Sequence, residues 1–197
     1  MVLPYGSAQH MNSQFAELLR EVEEHARQHG EVPNMAREAG QFLNVIAKAT
    51  GAQHILEVGV GDGYGTLWLA EAAAANDGLM TVLESDVWRV EVLRELLDRS
   101  PYGGEKLHLM QGEILELLPV LEGPFDFVMF DGDQTMALHY LRQVVDQITS
   151  GGMICCDKAI SRAAPLAEYL SYVHDSPGLE SVLVPIGEGI EITYKIP

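Results

Sequence analysis

Seven consecutive residues carry the clearest chemical signal in the chain: Glu57-Val58-Gly59-Val60-Gly61-Asp62-Gly63, directly after the apolar pair Ile55-Leu56 and before a helix-like stretch. Glycines let a chain turn tightly and bring its backbone against a ligand. A helix that starts at such a turn presents free N–H groups suited to a carboxylate or a phosphate. The spacing discriminates between cofactors. A dinucleotide fingerprint needs Gly-x-Gly-x-x-Gly. Counted from Gly59 the third glycine position holds Tyr64, and counted from Gly61 it holds Thr66, so both frames fail. No lysine follows the glycines, which excludes a phosphate-binding P-loop. An acidic residue about 20 to 25 positions after such a loop typically receives ribose hydroxyls. Glu84 stands there, at the end of a second apolar run, and Gln111-Gly112-Glu113-Ile114 closes a third, where an adenine edge would lie.

Strand tips must carry these residues. Phe15, Leu18, Leu19 and Val22 are at helical spacing and predict a first helix over 12–28 that stops at Gly30. A break follows at Glu31-Val32-Pro33-Asn34, then a second helix over 35–50 with Phe42, Leu43, Val45 and Ile46 apolar. Short apolar runs at 54–60, 80–83, 107–110, 127–130, 153–156, 181–185 and 190–194 predict strands. Helix-like stretches at 66–75, 87–98, 114–121 and 135–148 separate the first five, and a further helix fits 164–174. The alternation predicts an α/β fold, a doubly wound sheet of seven mostly parallel strands behind two N-terminal helices. Ile186-Gly187-Glu188-Gly189 is short enough to join the last two strands as an antiparallel hairpin. Ligands in such sheets bind beyond the carboxyl ends of the strands.

Composition narrows the partners. The 197 residues suit one globular domain, and the net charge of -17 repels nucleic acid and anionic lipid. No stretch approaches the roughly 20 apolar residues of a membrane helix. Met1-Val2-Leu3-Pro4-Tyr5 has neither the basic nor the apolar part of a signal peptide. Cys155 and Cys156, adjacent in an apolar run, read as buried reduced thiols of a cytoplasmic protein. Glu21, Glu23, Glu24, Glu71, Glu91, Glu95 and Asp98 read as solvated helix surface.

Further segments stand in order around the glycine loop: Gly40-Gln41-Phe42-Leu43 before it, then Asp131-Gly132-Asp133, Ser150-Gly151-Gly152, Cys156-Asp157, and Val184-Pro185-Ile186-Gly187-Glu188-Gly189-Ile190. In this set the sequence resembles the caffeoyl-CoA and catechol O-methyltransferase family of class I S-adenosylmethionine-dependent methyltransferases, including its small bacterial members. The likeness runs from about Met35 to the C-terminus. It implies a Rossmann-like methyltransferase domain over 35–197 behind a helical extension over 1–34, with S-adenosylmethionine as cofactor and a small hydroxylated molecule as methyl acceptor. Carried over by position, it implies Met35, Glu57, Gly59, Val60, Gly61 and Gly63 at the cofactor's amino-acid end. Gly65 stands where the family usually has a serine, so the cofactor's carboxylate falls to backbone N–H groups. The likeness further implies Glu84 at the ribose, Gly112, Glu113 and Ile114 at the adenine, and Asp131 and Asp133 beside the cofactor, Asp133 taking its amino group.

The family also uses a divalent metal that grips two vicinal hydroxyls of the acceptor, and a nearby lysine that helps remove a proton. Oxygen ligands suit magnesium or calcium. Asp131 and Asp157 match the two carboxylate ligands, but Lys158 holds the asparagine position and Gln134 the lysine position. An ammonium repels a divalent ion and offers it no lone pair. The expectation is that Lys158 pairs with Asp131 and Asp157 as a fixed positive charge, in a site that needs little or no metal. The other arrangement has Lys158 in solvent and a metal on Asp131 and Asp157. Asp131, Gln134, Asp157 and Lys158 are thus the candidate catalytic residues. Ser161 and Arg162 follow where the family contacts its acceptor, and Arg162 could bind an anionic group. His139 and Tyr140 read as surface or packing residues. The path from Asp157 to Val184 lacks the family's usual loop over the substrate, which implies an open acceptor site or one completed by a partner subunit. The helix over 12–28 is a natural element for a homodimer. A cofactor-binding module without transfer activity is the alternative to an O-methyltransferase.

Overall fold

The computed structural model describes residues 12–28 and 35–197. The predicted stop at Gly30 and the break at 31–34 lie outside them. Helix α1 (Ser13–Gln28) and α2 (Arg37–Ala49) precede β1 (His54–Val58), α3 (Tyr64–Ala75), β2 (Leu79–Glu84), α4 (Val87–Arg99), β3 (Leu107–Gln111), α5 (Ile114–Leu117) and β4 (Phe125–Phe130). Then come α6 (Ala137–Val144), β5 (Ile148–Asp157), α7 (Ala167–Asp175), β6 (Leu179–Val184) and β7 (Ile190–Lys195). One sheet holds all seven strands in the order β3-β2-β1-β4-β5-β7-β6. Strands β1 to β5 pair in parallel, and β7 runs antiparallel between β5 and β6. The winding reverses between β1 and β4, so their carboxyl ends open the crevice where such sheets hold ligands.

Alternate strand residues feed two cores, as the period of two in a strand requires. Ile55, Phe127, Met129 and Cys155 pack with Phe15, Leu19, Leu43 and Trp68 from the first three helices. Leu56, Val128, Phe130 and Cys156 pack with Leu138, Leu141 and Tyr169 on the opposite face. Both cysteines are free and buried. Helix α3 is buried on nearly every side, and α2 lies close against it: a Cβ at Gly40 would fall 2.2 Å from Cδ1 of Trp68. Phe15 meets Trp68 edge-on, ring centroids 5.3 Å apart. The apolar face of α1 is therefore used inside its own chain, and its spacing no longer argues for a dimer contact. Glu23 is likewise no solvated surface residue. Its Oε1 accepts from the Tyr64 hydroxyl at 2.6 Å and pairs with Arg37 at 2.9 Å, which ties α1 to the first turn of α3.

Several predicted boundaries move, among them the end of helix 114–121 at Leu117 and the start of helix 164–174 at Ala167. Val60 leaves the strand, because Gly59 at φ +81° turns the chain after Val58. The helix expected over 135–148 shortens to α6 between two 3-10 turns, and Ile148 begins β5 by pairing with Phe125. Among the described residues no helix is long and apolar enough to cross a membrane.

Candidate active site

The glycine turn is fixed by backbone contacts. Gly59 N–H donates to Leu83 O at 2.8 Å and Gly63 N–H to Val60 O at 2.8 Å. Gly63, at φ +82°, caps α3, and Asp62 Oδ1 accepts from Tyr64 N–H at 3.1 Å. A Cβ at Gly59 would lie 2.3 Å from Cα of Gly132, so the turns after β1 and β4 touch backbone to backbone and only glycine fits. That contact brings the first-strand loop and the Asp131 segment to one crevice.

Glu57 points into this floor. It is fully buried with no well-formed hydrogen bond to either carboxylate oxygen among the described residues, and the nearby Thr66 hydroxyl offsets only part of the cost of burial. Burial pushes its carboxyl well above the ordinary 4.5, and the charges of Asp131 and Glu84 push the same way. The space beside it is shared. A Cβ at Gly65 would meet Met35 Cε at 3.0 Å, Glu57 Oε1 at 3.4 Å and Asp131 Oδ2 at 3.6 Å. Met35 thus covers the position where a serine side chain would need to stand, and its methyl group closes the floor beside Glu57.

Glu84, at the tip of β2, is buried and held by three backbone donors: Val60 N–H at 3.1 Å, Ser85 N–H at 2.8 Å and Asp86 N–H at 2.8 Å. Gly112 N–H donates to Glu84 O at 3.0 Å, which sets the tip of β3 beside it. Ile114 is buried and Glu113 exposed there. Asp133 is exposed, with Oδ1 accepting from Thr135 N–H at 2.9 Å and Thr135 Oγ1 at 2.7 Å. Tyr140, read from sequence as packing, belongs to this end. Burial raises its phenol, and the carboxylates of Asp133, Glu113 and Glu84 push the same way. Only the fold shows that grouping, since the four residues come from four segments. Asp62 is a second residue passed over, and its charge adds to that felt by Asp131.

The third cluster lies at the ends of β4 and β5. Lys158 Nζ donates to Asp131 Oδ1 at 2.8 Å and to Asp157 Oδ2 at 3.1 Å, and all three residues are buried. Burial alone would lower the lysine, but the two carboxylates outweigh it and hold Lys158 above its ordinary value. Burial raises Asp131 to about 7 despite the ammonium beside it, and raises Asp157 too. Lys158 has φ +64°, a left-handed backbone that strains an L side chain. Surrounding hydrogen bonds hold it: Arg162 N–H donates to Lys158 O at 2.8 Å, and Ala159 N–H to Gly189 O at 2.9 Å. The residues present do not fit the divalent metal that the resemblance implies, because an ammonium occupies the gap between the two carboxylates that would hold it. Ser161 and Arg162 are exposed on the turns that follow. Gln134 lines, with Thr135, Leu138, His139 and Glu168, a cavity between α6 and α7.

A doubly wound sheet with a glycine turn after β1, a buried acid at the tip of β2 and a carboxylate floor is the architecture of a nucleoside-cofactor-binding protein. Comparison with known proteins agrees. A family profile described as O-methyltransferase matches residues 7–196, and the chain belongs to that family. It is an S-adenosylmethionine-dependent methyltransferase. The chain is 30% identical to a catechol O-methyltransferase of Mycobacterium tuberculosis, over 78% of this chain and 76% of that one. It is 26% identical to a caffeoyl-CoA O-methyltransferase of Petroselinum crispum, over 91% and 84%. A solved structure described as a putative O-methyltransferase from Klebsiella pneumoniae superposes with a TM-score of 0.79 at 26% identity, over 91% of this chain and 90% of that one. An SAH-bound methyltransferase of Podospora anserina shares the fold at TM-score 0.82 and 18% identity, over 95% and 89%.

Proposed function

We propose that this chain moves the methyl group of S-adenosylmethionine to a hydroxyl oxygen of a small acceptor, with the acceptor beside Asp131, Asp157 and Lys158. Glu57 carries the reading. A buried carboxylate with at most the Thr66 hydroxyl beside it costs on the order of a few kcal/mol, and a cationic amino-acid group over the floor would offset that cost. Met35, Glu57, Gly59, Val60, Gly61, Gly63 and Gly65 line that end, where backbone N–H groups of the first turn of α3 suit a carboxylate. Glu84 is preorganised by Val60, Ser85 and Asp86 and keeps lone pairs for a ribose. Gly112, Glu113, Ile114 and Tyr140 surround the base, and Asp133 offers Oδ2 to an amino group, Oδ1 being taken by Thr135.

The cofactor supplies an already activated methyl, so the chain's work is alignment. The acceptor oxygen forms the new O–C bond, the S–C electron pair stays on sulfur, and the hydroxyl proton leaves to water. Transfer of labelled methyl from S-adenosylmethionine to a panel of hydroxylated acceptors is the expected result. A second reading, tight cofactor binding without transfer, is favoured by Gln134, whose amide cannot take a proton where the family has a lysine. Binding by calorimetry without labelled product would select it, and absence of binding would sink both readings. A cytoplasmic setting rests on the buried free thiols, and a homodimer rests on the family likeness. The division into an extension over 1–34 and a domain over 35–197 is likewise a proposal, since α1 contributes Phe15 and Leu19 to the core shared with α3.

A further inference from the structure

The geometry points to Lys158 as a built-in substitute for the divalent cation of this family, and to an acceptor that offers one oxygen to it rather than a vicinal pair. The inference rests on the methyl-transfer reading above. Lys158 Nζ sits at hydrogen-bond distance from both Asp131 Oδ1 and Asp157 Oδ2. An ammonium has three hydrogens. Two go to these carboxylates, and the third has no acceptor among the described residues. The access is on the lysine: its side chain keeps 11% of its surface, against 1% for Asp131 and 2% for Asp157. An incoming molecule therefore meets Lys158 before it meets either carboxylate.

The difference in chemistry is sharp. An octahedral cation on two or three protein ligands has adjacent open positions and can chelate two neighbouring hydroxyls. One remaining N–H holds one oxygen. Lys158 thus orients a single acidic hydroxyl, phenolic or enolic, and favours its oxygen as the anion after the proton has left to water. Ser161 and Arg162 are exposed just beyond. The backbone supports a substitution in this place. Position 158 is left-handed, which asparagine tolerates better than lysine, so the residue that would complete a metal site fits the local backbone with less strain.

The test uses the full chain. Manganese titration followed by electron paramagnetic resonance is expected to show no stoichiometric binding below millimolar metal in the wild type, and micromolar binding in Lys158→Asn. Labelled transfer to 4-nitrophenol and 4-nitrocatechol is expected at rates within about threefold of each other and unchanged by EDTA. Micromolar manganese on the wild-type protein, or loss of transfer with EDTA, overturns the substitution of metal by lysine, and the wild-type measurement decides this even if the variant does not fold. Transfer to the catechol alone, or to neither probe, overturns the single-oxygen acceptor. Calorimetry with S-adenosylmethionine on the same sample tells that failure from a failure of the cofactor reading.

Discussion

Gly59 and Gly132 meet Cα to Cα: a methyl group at the first would fall 2.3 Å from the backbone of the second. Their contact clamps the turn after β1 onto the turn after β4. Gly59 also sits at φ +81°. Gly59→Ala combines left-handed strain with a clash against a backbone that cannot yield. We expect it to destabilise the protein by roughly 2–4 kcal/mol and to abolish S-adenosylmethionine binding, as measured by chemical denaturation and calorimetry.

Glu57 opposes stability and binding against each other. Its carboxyl is raised well above 4.5 by burial. A raised folded value contributes stability that is fully present below the unfolded value and is lost as pH rises through the folded one. The cofactor-free protein should therefore melt at lower temperature as pH is raised above 4.5. Glu57→Gln removes the ionisation and should flatten that slope, while weakening S-adenosylmethionine by about tenfold or more, near 1.4 kcal/mol. A variant that keeps full affinity would remove Glu57 from the binding site.

Glu84 holds the glycine turn as well as serving the ribose in the proposed reading. It accepts from Val60, Ser85 and Asp86 backbones. Glu84→Ala leaves three donors without their acceptor, and we expect about 1–3 kcal/mol of lost stability with cofactor affinity down at least tenfold. Glu84→Gln keeps one acceptor oxygen and should fall between wild type and alanine in both measurements.

Lys158 is one partner of a buried network, and removing one partner leaves uncompensated charge. Lys158→Met should cost about 3–5 kcal/mol near neutral pH. Without the ammonium the raised values of Asp131 and Asp157 climb further, so both carboxyls are neutral in acid. The deficit relative to wild type should be smallest near pH 5 and grow as pH passes about 7, the value of Asp131 in the intact network. Denaturation at several pH values checks the sign. The triple change Asp131→Asn, Asp157→Asn, Lys158→Met should recover part of the stability while losing transfer.

Much of this protein is legible in local order. The glycine spacing from Glu57 to Gly63, the acid at Glu84 and the alternation of strand and helix depend on periodicity and turn chemistry, which a sequence displays directly. They predict the seven-stranded sheet and its closing hairpin and exclude a dinucleotide, while the cofactor class follows from the family resemblance. The placing of Lys158 needed more. Sequence shows only that lysine follows Asp157; whether Nζ faces solvent or the gap beside Asp131 depends on a left-handed backbone at 158 and on the turn after β4, 27 positions away. The same holds for Glu23, which looks like helix surface until Tyr64 and Arg37 come to it, and for Tyr140, whose phenol feels the charges of Asp133, Glu113 and Glu84 from three other segments. The sequence by itself determined the sheet and the glycine turn, because those follow from neighbours a few residues apart. Only the tertiary structure decided which charges share a buried space, because burial and pairing are set by segments that meet through folding and not along the chain.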